Sequence, residues 1–354
     1  MALELTSLSA LAALDVDEII DVRSPSEYAE DHLPGAINLP VLSDAERARV
    51  GTIYVQEDRF LARKVGAALV ARNAARHLEG PLAGKDGGWR PLIYCWRGGQ
   101  RSGSFASILE QVGWRVTLLK GGYRSYRRLV VRALYDAPLD VRVVLVDGMT
   151  GTAKTRMLAH LAEAGAQVID LEELAAHRGS VFGARPGGQP TQKMFESRLA
   201  AKLAALDPAR PVFVEAESAK VGERIVPPAL WAAMKAAPHV RLEAPVTARA
   251  DYLTTAYADL LEDVEALEDV IAKLVPYHGR ETCARWQEMA RAGAFRDLAA
   301  ELVTRHYDPR YAKSAAHRGA PEAVISMERL DDARLAEGAR RVLAAIGSGA
   351  AARG

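Results

Sequence analysis

The chain predicts an α/β protein: an open parallel sheet, then a second α/β domain built on a phosphate-type loop, then a helical C-terminal region. Two observations carry this. Short apolar β-forming runs alternate with helical patterns, and twice such a run ends in a glycine-bearing loop that opens a helix, at residues 91–112 and 141–164. At 354 residues and 49% hydrophobic, the chain can bury two ordinary cores. No apolar run approaches the roughly 18 residues of a membrane span, and residues 1–14 lack a secretory pattern, so the expected location is the cytoplasm. Two cysteines, Cys95 and Cys283, exclude a disulfide framework and a Cys-rich zinc module.

Taken in order, a short helix opens the chain. Glu18-Ile19-Ile20-Asp21-Val22-Arg23 reads as a buried strand, and Ser24-Pro25-Ser26-Glu27 as a capped helix start with proline in the first turn. His32-Leu33-Pro34-Gly35-Ala36-Ile37-Asn38 is a turn and a second strand, 57–79 a helix, and Gly80 to Trp89 a surface loop. Residues 91–94 form the central strand, 102–112 a helix and 115–119 another strand. Cys95 then lies at a strand's carboxyl end, where open parallel sheets place ligands. Gly98 and Gly99 let the loop turn its N–H groups inward, the following helix adds the positive end of its dipole, and Arg97 and Arg101 add charge. In such a field a thiol ionises below its free value of about 8.5, and the thiolate is the nucleophile. The bland alternative, a buried packing cysteine, explains neither the arginines nor the glycine pair, whereas Cys283 among helix formers reads as packing.

Asp21-Val22-Arg23-Ser24 with Glu27-Tyr28, the His32 to Asn38 turn, the Cys95 loop and Lys120-Gly121-Gly122-Tyr123 resemble a rhodanese domain. The resemblance implies that Asp21 and Arg23 are a charged pair bracing the loops and that Cys95 carries a chalcogen. Cys95 and Arg101 equally satisfy the Cys-x5-Arg pattern of related phosphatases. The loop alone leaves both readings open. Residues 90–142 hold ten Lys or Arg and three Asp or Glu, a balance of +7 that suits either a polyanionic partner or a solvated basic face.

A basic helical connector leads to Pro138, where the domain boundary is expected. Val141-Arg142-Val143-Val144-Leu145-Val146-Asp147 is then a buried strand, followed by Gly148-Met149-Thr150-Gly151-Thr152-Ala153-Lys154-Thr155 and a helix from 156 to 164. The order resembles the phosphate-binding loop of nucleotide-binding proteins, with Gly148 and Gly151 in the turn, Lys154 for the terminal phosphates and Thr155 for a magnesium ion. Ala153 departs from that pattern by standing where glycine is expected. Further strands at 167–170, 212–215 and 240–243 follow. Asp170, Glu215 and the neighbouring Glu217 are candidates for magnesium binding or acid–base work, with helix capping an equal explanation for Asp170.

His177-Arg178-Gly179-Ser180, residues 189–196 and Val214-Glu215-Ala216-Glu217-Ser218, together with the two loops, resemble the bacterial tRNA 2-selenouridine synthase family from about residue 15 to Tyr311. The resemblance implies a transferase acting on tRNA with 2-thiouridine at the wobble position. Geranyl diphosphate would alkylate the sulfur, and selenophosphate would supply the selenium that replaces it. It implies no tightly bound cofactor. Lys154 and Thr155 would grip the diphosphate, and Cys95, with Arg97 and Arg101, would bind selenophosphate or carry selenium. Two other classes compete: a sulfurtransferase or Cys-x5-Arg phosphatase with a regulatory nucleotide-binding domain, and a phosphate-loop kinase with an inactive rhodanese-like partner. The expected domains are 1–137, 138–248, a helical region 249–346 and a disordered tail 347–354, in a chain expected to be a monomer. Residues 251–269 carry an acidic solvated face, whereas basic and aromatic residues interleave at His278-Gly279-Arg280, Arg285-Trp286 and Arg305-His306-Tyr307, suiting either RNA stacking or packing.

Overall fold

The computed structural model describes residues 2–315 and 318–351. Two compact units emerge, one of Met1–Pro138 with Pro190–Ala205, the other of Leu139–Gln189 with Leu206–Gly354. The first contains strands β1 (Ala2–Leu3), β2 (Glu18–Asp21), β3 (Ala36–Asn38), β4 (Pro91–Tyr94) and β5 (Thr117–Leu119), in the order β1-β5-β4-β2-β3. All pairings are parallel. Parallel strands need crossovers, and helices Arg59–Glu79 and Gln100–Val112 supply Leu69, Val70, Phe105 and Leu109 to a core with Ile20, Ile93, Trp89 and Trp114. Each such side chain contributes about 2 kcal/mol by leaving water, and together they hold the carboxyl end of β4 rigid.

The second unit repeats the plan with β6 (Val143–Gly148), β7 (Gln167–Ile169), β8 (Val212–Glu215), a small hairpin β9 (Lys220–Val221) and β10 (Arg224–Ile225), β11 (His239–Glu243) and β12 (Ala323–Ser326). The main sheet runs β12-β11-β6-β8-β7, again all parallel. Val144, Val146, Phe213 and Leu242 meet Met157, Leu158 and Leu161 of helix Lys154–Glu163 in its core. A second cluster, around Leu267, Ile271, Cys283, Trp286, Leu298 and Leu302, holds the helices that follow β11. Cys283 is buried there, as packing requires.

Several segments differ from the sequence reading. The helix expected over 57–79 is preceded by another, Asp44–Gln56, set off by a Ser43 capping box. Two-residue β1 is too short to register as a pattern, yet it pairs with β5. The region after 249 is helical but also contributes β12, an edge strand with one neighbour, and helix Asp332–Ala351, whose Leu335, Ala339, Val342 and Ile346 complete the second unit's core. That helix runs through the first residues of the stretch read as a disordered tail, and residues 352–354 lie outside the described residues. No described helix is long and apolar enough to cross a membrane.

Candidate active sites

Cys95 follows β4 directly and is 4% exposed. Its Sγ accepts hydrogen bonds from the Gly99 N–H (3.3 Å) and the Ser102 hydroxyl (3.2 Å). Burial pushes the thiol up, but hydrogen bonds from Ser102 and the Arg97 backbone and the charge of Arg101 outweigh it and bring Cys95 below the usual thiol value. The tight path requires glycine at two places. A Cβ on Gly122 (φ +57°) would lie 2.1 Å from the Cys95 carbonyl, and one on Gly98 (φ +68°) would lie 2.7 Å from the Leu119 carbonyl. Gly99 caps helix Gln100–Val112.

The two arginines of the loop are not equivalent. Arg101 is held by Glu27 through contacts of 2.6 and 3.3 Å, while Arg97 is exposed and has no ion-pair partner among the described residues. The Asp21–Arg23 pair is present and buried, at 2.6 Å, with Arg23 also donating to the Asp31 carbonyl and lying 4.2 Å from the Tyr123 ring centre. Helix Gln192–Ala204 packs on this same unit: Ser197 (2.9 Å) and Tyr123 (2.8 Å) donate to Asp31, and Arg127 and Tyr135 donate to Glu196. Residues 190–196 therefore brace the unit that contains Cys95, whereas Gln189 bonds to Ala175 and Val221 within the second unit.

In the second unit, β6 delivers Gly148, whose Cβ would lie 2.5 Å from the Thr152 hydroxyl, and helix Lys154–Glu163 begins at the loop's end. Ala153 adopts φ 60°, ψ 35°, the left-handed conformation that glycine accepts without strain. Lys154 Nζ donates to the Gly148 carbonyl at 3.0 Å, and the Thr155 hydroxyl donates to Glu172 at 2.8 Å. Arg249, 2% exposed, donates to the Thr150 carbonyl at 2.8 Å and pairs with Asp308, so it props the loop from beneath.

The acids divide by role. Asp170 caps helix Leu171–Ala175 by accepting from the Glu173 N–H at 2.7 Å. Glu215, fully buried, accepts from the Glu172 N–H at 2.8 Å, and burial with the charges of Asp170, Glu172 and Glu217 pushes its carboxyl well above the usual range. Glu217 faces the cleft of the phosphate loop, packed against Gly179. Burial, opposed by Lys154, pushes it up to about 7. Lys154, Arg156, Arg178, Arg185, Arg310 and Arg318 line the same cleft; Arg156 pairs with Asp332, Arg178 with Asp259 and Arg318 with Asp147, which leaves Lys154, Arg185 and Arg310 outside any ion pair among the described residues, cations that suit a diphosphate. The Nε of Arg185 is buried without a hydrogen-bond partner among the described residues. Sequence reasoning missed Glu172, Arg185, Arg249 and Arg318. Nothing local marks them, because they converge on the loop from four separate segments.

A cysteine nest closing one parallel sheet and a phosphate loop closing another define a rhodanese-like domain joined to a phosphate-loop domain. Family models match accordingly, a rhodanese-like domain over residues 5–129 and a tRNA 2-selenouridine synthase AAA domain over residues 141–274. Proteins called tRNA 2-selenouridine synthase from Aeromonas salmonicida strain A449 and Pseudomonas syringae pv. syringae strain B728a are 36% and 34% identical to it. The alignments cover 87% and 85% of this chain, and 90% and 89% of theirs. One from Cupriavidus pinatubonensis is 32% identical over 85% of this chain and 90% of its own. The chain belongs to the tRNA 2-selenouridine synthase family.

Proposed function

We propose that this protein converts 2-thiouridine at the wobble position of tRNA to 2-selenouridine in two steps, S-geranylation with geranyl diphosphate followed by replacement of the alkylated sulfur with selenium from selenophosphate. The observation that carries the reading is the presence, in one chain of this family, of an acidified thiol in an anion nest and a separate cation-rich phosphate loop. A thiocarbonyl sulfur leaves poorly as sulfide, whereas an alkylated sulfur leaves as a thiol, so the first step makes the second feasible.

In the first step the sulfur attacks the allylic carbon and the carbon–oxygen bond breaks with its electrons on the diphosphate. The N–H groups at the start of helix Lys154–Glu163 and Lys154 Nζ, which must turn from the Gly148 carbonyl, would take up the charge of that leaving group. Glu217, whose carboxyl burial raises to about 7, would accept the proton that the base loses on alkylation. Thr155 and Glu172 offer hard oxygen donors that fit a magnesium ion. In the second step the Cys95 nest, with the unpaired Arg97, would bind selenophosphate, whose selenide-level selenium attacks C2 of the alkylated base as the carbon–sulfur bond breaks and geranyl thiol leaves, after which water takes the phosphoryl group from selenium. Arg101, engaged by Glu27, steadies the loop and adds its field. That engagement weighs against a Cys-x5-Arg phosphatase, which needs its arginine for the phosphate.

Nucleoside mass spectrometry of thiolated tRNA incubated with the protein tests this. Geranyl diphosphate alone should yield S-geranyl-2-thiouridine, and adding selenophosphate should yield 2-selenouridine. Finding neither product, with turnover of thiosulfate or an aryl phosphate instead, rejects the reading.

A further inference from the structure

In the first unit, helices Asp44–Gln56 and Arg59–Glu79 form a hairpin joined by Glu57 and Asp58. Val50 faces Gly66 across it, where a Cβ would stand 3.6 Å from Val50, so the two helices run side by side up to the turn. The tip of the hairpin is apolar and unburied. Of the thirteen large apolar side chains exposed among the described residues, four fall within eight positions there: Tyr54, Val55, Phe60 and Leu61, with Val55 81% and Phe60 71% exposed. Apolar side chains scattered singly over a surface need no explanation, whereas a cluster of them marks a surface that a partner covers.

The surrounding charge identifies the partner. Residues 47–72 hold six Lys or Arg and two acids, a balance of +4, and Asp58 is occupied as the cap of the second helix, accepting from the Leu61 N–H at 2.6 Å. Arg49, Arg59, Arg63, Lys64 and Arg72 are exposed and outside any ion pair among the described residues. By contrast, Arg90, Arg101, Lys120 and Arg127, four of the ten basic residues in 90–142, are already engaged by acids. The Arg59 guanidinium lies 5.5 Å from the centre of the Tyr54 ring, so cation and aromatic meet across the turn. Phe60, Lys64, Ala67 and Ala71 follow at helical spacing down one exposed face, where small side chains let another backbone lie close. The buried centre of a protein–protein interface is depleted in lysine, but here a cation stands within one turn of each ring. Exposed rings among unneutralised cations suit a single-stranded RNA loop, whose splayed bases stack and whose phosphates pair.

We propose that the tip of this hairpin is the surface on which the single-stranded loop of the tRNA docks, its bases on Tyr54 and Phe60 and its phosphates on Arg49, Arg59, Arg63 and Lys64. The inference rests on the reading of tRNA as the substrate. The base of the hairpin is tied to the Cys95 loop, because Glu27 receives both Arg47 at 3.7 Å and Arg101 at 2.6 Å. Val55 lies about 12 Å along the helix from Arg47, at 1.5 Å per residue, so RNA held at the tip is a few nucleotides from that loop.

Binding of fluorescently labelled thiolated tRNA to the full-length protein over a range of salt tests this, with an RNA duplex of equal length as the second probe. Tyr54→Ala and Phe60→Ala should each weaken tRNA binding roughly tenfold while leaving duplex binding unchanged, since only unpaired bases can stack. Changing Arg59, Arg63 and Lys64 together to Gln should lower the slope of log affinity against log salt by about 2. All five side chains are exposed, so the variants should keep the wild-type circular dichroism and unfolding temperature. If the variants bind tRNA with wild-type affinity and slope, the tRNA lies on another face and the proposal is wrong. If Phe60→Ala instead abolishes a concentration-dependent dimer in sedimentation while tRNA affinity is kept, the tip joins two copies of this chain and the proposal is again overturned. Wild-type protein that prefers tRNA no more than the duplex would remove the substrate reading itself.

Discussion

The Cys95 loop and the phosphate loop share one backbone plan and solve opposite electrostatic problems. Each follows an interior strand of a five-stranded parallel sheet and ends in a helix whose first N–H groups face the loop. Around Cys95 the donors converge on the protein's own sulfur, and one of two nearby arginines is already neutralised by Glu27. Around Lys154 the cations are many, and the carboxylates that face them are held up in pKa by burial. Under the proposed function, the first site would favour a charge that forms on the protein and the second a charge that the ligand brings. The same strand–loop–helix would then serve nucleophile activation or leaving-group stabilisation according to which side chains reach it.

Substitutions can separate the two loops. The largest effect is expected from Cys95→Ala, which removes the atom that the first loop is built to hold: 2-selenouridine should disappear from the nucleoside profile while S-geranyl-2-thiouridine accumulates. Normal selenouridine formation by that variant would end the part of that loop in selenium transfer. Lys154→Ala should slow geranylation on the order of a hundredfold, about 3 kcal/mol of lost leaving-group stabilisation. Supplied with tRNA already S-geranylated, the same variant should make selenouridine at the wild-type rate. Failure on both substrates by a folded variant would mean that the two loops do not divide the work.

Glu217→Gln sharpens the comparison through pH. With its carboxyl raised to about 7, the wild-type geranylation rate should climb as pH passes through neutrality, and the variant should lose that rise. Stability should move the other way. Because the folded pKa exceeds the unfolded value, the folded state binds the extra proton between about 4.5 and 7, so wild-type stability declines across that window as pH rises. Chemical denaturation at pH 5 and pH 7.5 should show a smaller decline in the variant; equal declines would place the titrating group elsewhere. Smallest is Ala153→Gly. Relief of the left-handed backbone, worth about 1 kcal/mol, is offset by the loss of a buried methyl, so thermal unfolding should shift by only a few degrees with diphosphate affinity kept.

Much of this was readable along the chain, because local chemistry sets local structure. Val143 to Gly148 followed by Lys154 and Thr155 can hardly be other than strand, loop and helix. The Cys95 loop declares itself through glycines that no Cβ could replace, and Asp21 with Arg23, two residues apart, forms its pair within one turn of chain. Tertiary structure alone decided which distant residues meet. Residues 190–196, written between strands of the second sheet, turned out to brace the first unit through Glu196 and neighbouring Ser197, because the partners of those side chains lie more than 60 residues away. Arg249 under the phosphate loop, Arg318 on Asp147 and β12 on the sheet's edge share that origin. Each depends on burial and long-range pairing, which are properties of the folded surface that neither periodicity nor a short motif encodes.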